Sequence, residues 1–219
     1  MIKLKKSVAL LFIMFGSSVF EQCTTRSLDY GYGENDAPTV DVGSQHWMSK
    51  NLNIDHFANG DPIPQAQTAK EWENASNEKR PAWCYYNSDP SMGSTYGKLY
   101  NWHCVNDPRG LAPSGWHVPS DAEWTKLTDY LGGETEAGTK MKSSSLWENN
   151  GHGNNSSGMA GFPGGFRYSD GTFEGIGQVG TWWSSSEEAS NRTLYFNKGK
   201  VVRYTYPMTS GFSVRCIRD

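Results

Sequence analysis

The spacing of hydrophobic positions changes several times along this chain, and each change marks an element. From Thr39 to Ile54 apolar and polar residues alternate in two short segments broken at Gly43, which predicts a hairpin. Ala69 to Asn77 holds helix formers with Trp72 on one side, a short helix that ends before Pro81. The clearest pattern is Pro119-Ser-Asp-Ala-Glu-Trp124: Ser120 can accept from the Glu123 amide while the Glu123 carboxylate reaches back, a capping box. Trp124, Leu127 and Leu131 then share one face before Gly132-Gly133, so a helix is predicted over residues 120–131.

Past Gly165 the period falls to two. Ser169-Asp170-Gly171 and Asn197-Lys198-Gly199 read as hairpin turns, the second joining Thr193–Phe196 to Lys200–Tyr206. Phe212 to Ile217 closes the chain as a final strand. Between the two halves lie an aromatic-dense stretch, Trp83 to Val105, and a Gly/Asn-rich loop over 149–165. Helices early and antiparallel strands late predict an α+β class, with few short helices and long irregular loops.

The first residues follow different rules. Three lysines in Met1–Lys6 precede a weakly polar to apolar run, Ser7 to Phe20, in the manner of an export signal. That run holds about 14 residues, short of the roughly 20 that span a bilayer. The expected organisation is a signal peptide over 1–22, a lipid-anchored flexible tether over 23–38 starting at a lipidated Cys23, and one domain over 39–219. Glu21 and Gln22 depart from the small residues that usually precede a lipidated cysteine.

Composition sharpens the core and narrows the partners. Aromatics make up 13% of the chain against a mean hydropathy of -0.66, which points to a loop-rich domain built on rings rather than aliphatic helices. The net charge of -3, with no basic patch interleaved with aromatics, argues against a nucleic-acid partner. If Cys23 carries lipid, then Cys84, Cys104 and Cys216 remain, and an odd number in an oxidising compartment suggests one disulfide and one thiol.

Seven phrases occur in a telling order: Gln45-His-Trp-Met-Ser-Lys-Asn-Leu52, Tyr96-Gly-Lys-Leu-Tyr-Asn-Trp102, Leu111-Ala-Pro-Ser-Gly-Trp-His-Val-Pro-Ser-Asp-Ala-Glu-Trp124, Asp129-Tyr-Leu-Gly-Gly133, Phe162-Pro-Gly-Gly165, Trp182-Trp-Ser-Ser185 and Gly211-Phe-Ser-Val-Arg-Cys216. Together they resemble the Fibrobacter succinogenes major paralogous domain, a family of extracytoplasmic, often lipid-anchored proteins without an established activity. The resemblance covers roughly residues 39–219. It implies a C-type lectin-like fold, similar also to that of formylglycine-generating enzymes. It further implies a disulfide between Cys84 and Cys216, with Cys104–Cys216 as the competing pairing.

Candidate chemistry follows from that fold and from the residues themselves. The triplets of calcium-dependent lectins are missing, and the histidines show no metal-ligand spacing, so no metal or other cofactor is expected. His103 beside Cys104 is a poor nucleophile pair because adjacent side chains rarely face each other. Only Cys216 lies near the end of the chain, where formylglycine-generating enzymes use two cysteines, so no catalytic residue is assigned. Calcium-free sugar binding would use Trp147, Glu148, Asn149 and Asn150 in the 147–155 loop, unless Trp147 packs beneath the loop and the asparagines supply turns. Adjacent Trp182 and Trp183 must point to opposite faces, so one belongs to the core and the other is either a surface contact or packed under a loop, and Trp183 joins the ligand candidates. The expected function is recognition of a glycan or an envelope protein by a non-catalytic lipoprotein, outer-membrane or secreted, touching the membrane through its anchor. The alternatives are an enzyme-derived domain related to formylglycine-generating enzymes and a structural envelope component.

Overall fold

The computed structural model describes residues 38–219. The export signal, Cys23 and the tether as far as residue 37 lie outside the described residues. In chain order the strands are β1 (Thr39–Val42), β2 (Gln45–Met48), β3 (Trp83–Cys84), β4 (Leu99–Tyr100), β5 (Trp116–His117) and β6 (Gly164–Arg167). They continue with β7 (Phe173–Ile176), β8 (Val179–Trp183), β9 (Ser190–Tyr195), β10 (Val201–Thr205) and β11 (Ile217–Arg218). The helices are α1 (Ala69–Asn77), α2 (Gly93–Tyr96), α3 (Trp102–Val105), α4 (Asp121–Tyr130) and α5 (Glu134–Met141).

Three sheets result, with orders β1-β2-β11-β5, β10-β9-β8-β6-β7 and β3-β4. Every pairing is antiparallel except β6 with β8. With its few short helices the chain is α+β. Among the described residues no helix is long and apolar enough to cross a membrane.

The predicted helices form where their caps place them. Ser120 and Glu123 make the reciprocal box that starts α4, and Trp124 and Leu127 bury the inner face. Thr68 and Glu71 make a second box ahead of α1, with Trp72 buried. Both predicted turns also appear, joining β6 to β7 and β9 to β10.

Helix α5 was not predicted. Its start at Gly133 and the glycine in its middle hide it, but that middle glycine has a physical cause: a Cβ on Gly138 would stand 2.4 Å from the Gly199 carbonyl oxygen. The close approach lets the Thr139 amide donate to that carbonyl at 2.9 Å, pinning the β9–β10 turn against the helix.

The closing strand is shorter than expected, because residues 211–217 run from sheet to sheet. Gly211 bridges to Arg167, Phe212 to Tyr100 and Ser213 to Trp182 before Ile217 pairs with Trp47 and His117. This segment therefore stitches all three sheets into one core.

The expected Cys84–Cys216 disulfide is corrected: Cys84, Cys104 and Cys216 are all free and buried. Alternation along β3 sends Trp83 into a cluster with Cys104 and Cys216, and Cys84 into another with Trp72, Tyr86 and Leu99. The two proposed partners thus belong to different sides of the core. Burial raises the thiols, to about 11 at Cys84 and about 12 at Cys216, which keeps them protonated and unreactive. Alkylation of the folded domain is expected to leave these three cysteines unlabelled, and denaturation without reductant should label all three. A mass spectrum with a bridged pair would refute the free-thiol state.

Candidate functional site

Of the residues proposed from sequence for sugar binding, the two tryptophans are inside and Glu148, Asn149 and Asn150 are exposed. Trp147 is buried, donates from Nε1 to the Gly161 carbonyl at 3.1 Å and packs with Met141, Met159 and Trp182. Asn149 and Asn150 take left-handed backbone angles in one exposed turn, a conformation that asparagine tolerates. Glu148 is exposed and accepts from Gln178 at 3.0 Å.

That loop is also tied down. Buried Lys142 donates to the carbonyls of Gly151 at 2.6 Å and Lys198 at 3.1 Å, and desolvation lowers its pKa. Trp182 and Trp183 do face opposite ways, but into two clusters, and Trp183 is fully buried. Neither Trp147 nor Trp183 presents a ring face to a ligand.

A different surface does present rings. In the β8–β9 pairing Val179 stands opposite Tyr195, Thr181 opposite Thr193 and Trp183 opposite Asn191, all on one face. The register of β6 on β7 sets Phe166 opposite Glu174. Apart from buried Trp183 and Asn191, these residues join Tyr168, Tyr206 and Phe212 to enclose a cleft of about 210 Å³, smaller than the roughly 300–1,000 Å³ of drug-sized pockets.

Its walls are aromatic. Phe166 meets Tyr168 edge-on at 4.9 Å between centroids, and Tyr206 meets Phe212 at 5.3 Å. Phe212 in turn leans on buried Trp183 at 4.3 Å, so the wall rests on the core.

Its floor is polar. The Thr181 and Thr193 hydroxyls lie 2.9 Å apart, and Thr193 donates to Asn191 Oδ1 at 2.9 Å. Asn191 Nδ2 is buried with no partner among the described residues, an unmet donor beside that hydroxyl pair.

The Tyr168 and Tyr195 phenols stay protonated at neutral pH. The hydrogen bond that Tyr168 donates to Glu174 at 2.8 Å raises its pKa to about 12. Burial, then the Tyr204 hydroxyl, raises that of Tyr195.

A second, shallower cleft of about 280 Å³ lies beside Gln45, Lys126 and Asp219. There His117 is held by Glu123 at 2.8 Å and Asp219 at 2.7 Å, tying the first turn of α4 to the segment after β11. Burial works against the imidazolium, but the two carboxylates outweigh it and raise the His117 pKa. Among the described residues no group of three or more His, Cys, Asp or Glu side chains is disposed to hold a metal ion.

The family model of the Fibrobacter succinogenes major domain matches residues 40–218, most of the chain. The chain belongs to that family. No curated protein and no solved structure matches it. In this Fibrobacter succinogenes major domain the matched span begins inside β1 and ends in β11, so it takes in all three sheets and the cleft.

Sequence reasoning did not assign the cleft residues. Strands containing Thr193, Tyr195, Tyr204 and Tyr206 were legible, with alternation that puts tyrosines on one face. Nothing in a single sequence sets that face against Thr181 or Phe166, because the register across β6, β8 and β9 is non-local.

Proposed function

We propose that this domain is a non-catalytic recognition module that binds a saccharide in the aromatic cleft of its five-stranded sheet. The observation that carries the reading is the pairing of ring walls with the Thr181–Thr193 hydroxyl floor. Sugar rings offer one apolar face and a rim of hydroxyls, and a site combining aromatic surface with a few placed polar groups matches both. The lining contains a single carboxylate, Glu174, whereas glycoside hydrolysis ordinarily needs a flanking pair. A recognition role therefore fits the lining better than a hydrolytic one.

The wider setting belongs to the same proposal. A C-type lectin-like fold, with a rigid ring-built core carrying irregular loops, suits such a role. An export signal and a lipid at Cys23 would hold the domain at the cell envelope, outer-membrane or secreted, where polysaccharides are met.

Tyr206→Ala tests the site. Removing this half-buried wall is expected to weaken saccharide retention about ten-fold in affinity electrophoresis, since one aromatic contact of that kind is worth roughly 1–2 kcal/mol. Its melting temperature should stay within a few degrees of the parent. Unchanged retention in the variant, or no retention of any polysaccharide by the parent, would refute the assignment.

A further inference from the structure

We propose that the saccharide bound in the cleft carries a positively charged amine, held by Glu174 and by the ring faces around it. This inference rests on the recognition reading and adds the charge of the ligand to it. Glu174 is the one carboxylate in the lining, and no Lys, Arg or His lines it. One of its oxygens, Oε2, accepts from the Tyr168 hydroxyl at 2.8 Å, and the carboxylate makes no ion pair among the described residues. The wall thus carries an unpaired carboxylate, fixed in place by a phenol.

The rings act in the same direction. Aromatic faces are negative, so Phe166, Tyr168, Tyr195, Tyr206 and Phe212 attract a cation set among them. The chain already shows that attraction at the margin of the cleft, where Lys198 Nζ stands 4.6 Å from the centroid of the Tyr195 ring. The Tyr168 phenol stays protonated, since the carboxylate raises it to about 12, and so adds no charge of its own. A uronic acid would bring a second carboxylate to Glu174, which has no ion-pair partner among the described residues because Lys198 stands over Tyr195 instead, a repulsive contact that selects against acidic sugars. A neutral sugar would leave the Glu174 charge unused.

The test compares four probes by titration calorimetry at about pH 6, where an aliphatic amine is charged. They are a glucosamine oligosaccharide, its N-acetylated counterpart, a neutral glucan oligosaccharide and an oligomer of glucuronic acid. The amine is expected to bind about ten-fold more tightly than the acetylated form, and the uronate most weakly. Glu174→Gln keeps an acceptor for Tyr168 but removes the charge, and should bring the amine and its acetylated form within about two-fold.

Should that variant fail to fold, added salt provides the second measurement. Glu174 is exposed, so the preference of the parent for the amine should shrink as ionic strength rises. Equal binding of the amine and acetylated probes by the parent overturns the charge assignment and leaves saccharide recognition standing. A preference that survives Glu174→Gln, or that ignores salt, overturns it as well. Binding of none of the four overturns both.

Discussion

Trp183→Ala is expected to cost roughly 4 kcal/mol of stability, the middle of the range for truncating a buried aromatic. The indole is fully buried, donates from Nε1 to the Tyr100 carbonyl at 2.8 Å and packs against Phe212 at 4.3 Å between centroids. Its own carbonyl accepts from Trp124 Nε1 at 3.3 Å, which links the five-stranded sheet to α4. Deletion opens a void between two sheets and leaves the Tyr100 carbonyl with only the Phe212 amide as donor, and neither sheet can collapse into the space without losing register. For a domain of this size the loss corresponds to a fall in Tm of roughly 8–16 °C. Urea unfolding followed by tryptophan fluorescence and by circular dichroism would measure it, with coincident transitions as the check on two-state behaviour. A loss under about 1 kcal/mol would show that the indole is a surface group, as a ligand-stacking role would require.

The contrast between Trp183 and Tyr206 illustrates what a single sequence reveals. Local rules sufficed for α1 and α4, since each start is fixed by a side chain and an amide three residues apart. They sufficed for the hairpin turns at 169–171 and 197–199, where the turn chemistry is local. They failed at α5, whose Gly138 is set by the distant Gly199 carbonyl rather than by helix propensity. They failed again for the adjacent tryptophans: alternation gave opposite faces, but the five-stranded sheet is covered on both sides here, so both rings are core. The cysteines teach the same lesson. Which side of β3 carries Cys84 follows from the pairing of Trp83 with Tyr100, a relation between residues far apart in the chain. The cleft is the extreme case, because its walls come from β6, β7, β8, β9 and the segment after β10, and only the assembled register brings them together.

Asp121→Ala should be nearly as damaging, by a different route. Asp121 opens α4, where a carboxylate is favoured by the helix dipole, and it reaches across to β9 and β10. Arg192 approaches it at 2.5 Å and Arg203 at 2.8 Å, while the Ser190 hydroxyl donates at 3.1 Å. Arg192 is 2% exposed, so removing its carboxylate leaves a buried guanidinium with only the Asp121 carbonyl and the Thr125 hydroxyl as close partners on α4. Breaking one side of such a pair costs about 3–5 kcal/mol, most of it the penalty of the stranded charge. Asp121→Asn keeps an acceptor in place and should lose roughly half as much.

The pH dependence provides an independent signature of the same contact. Burial raises the Asp121 pKa, but the bonds from Arg192 and Arg203 outweigh it and hold the carboxyl at about 2, below its ordinary 3.8. A depressed carboxylate stabilises the fold fully above its unfolded value, and that contribution drains away as the pH falls through the folded one. The parent should therefore lose stability between about pH 4 and about pH 2 that Asp121→Ala has already lost. Urea midpoints of the two proteins, far apart near neutrality, are expected to converge across that window. Parallel curves down to about pH 2 would mean that Asp121 is not the anchor for Arg192.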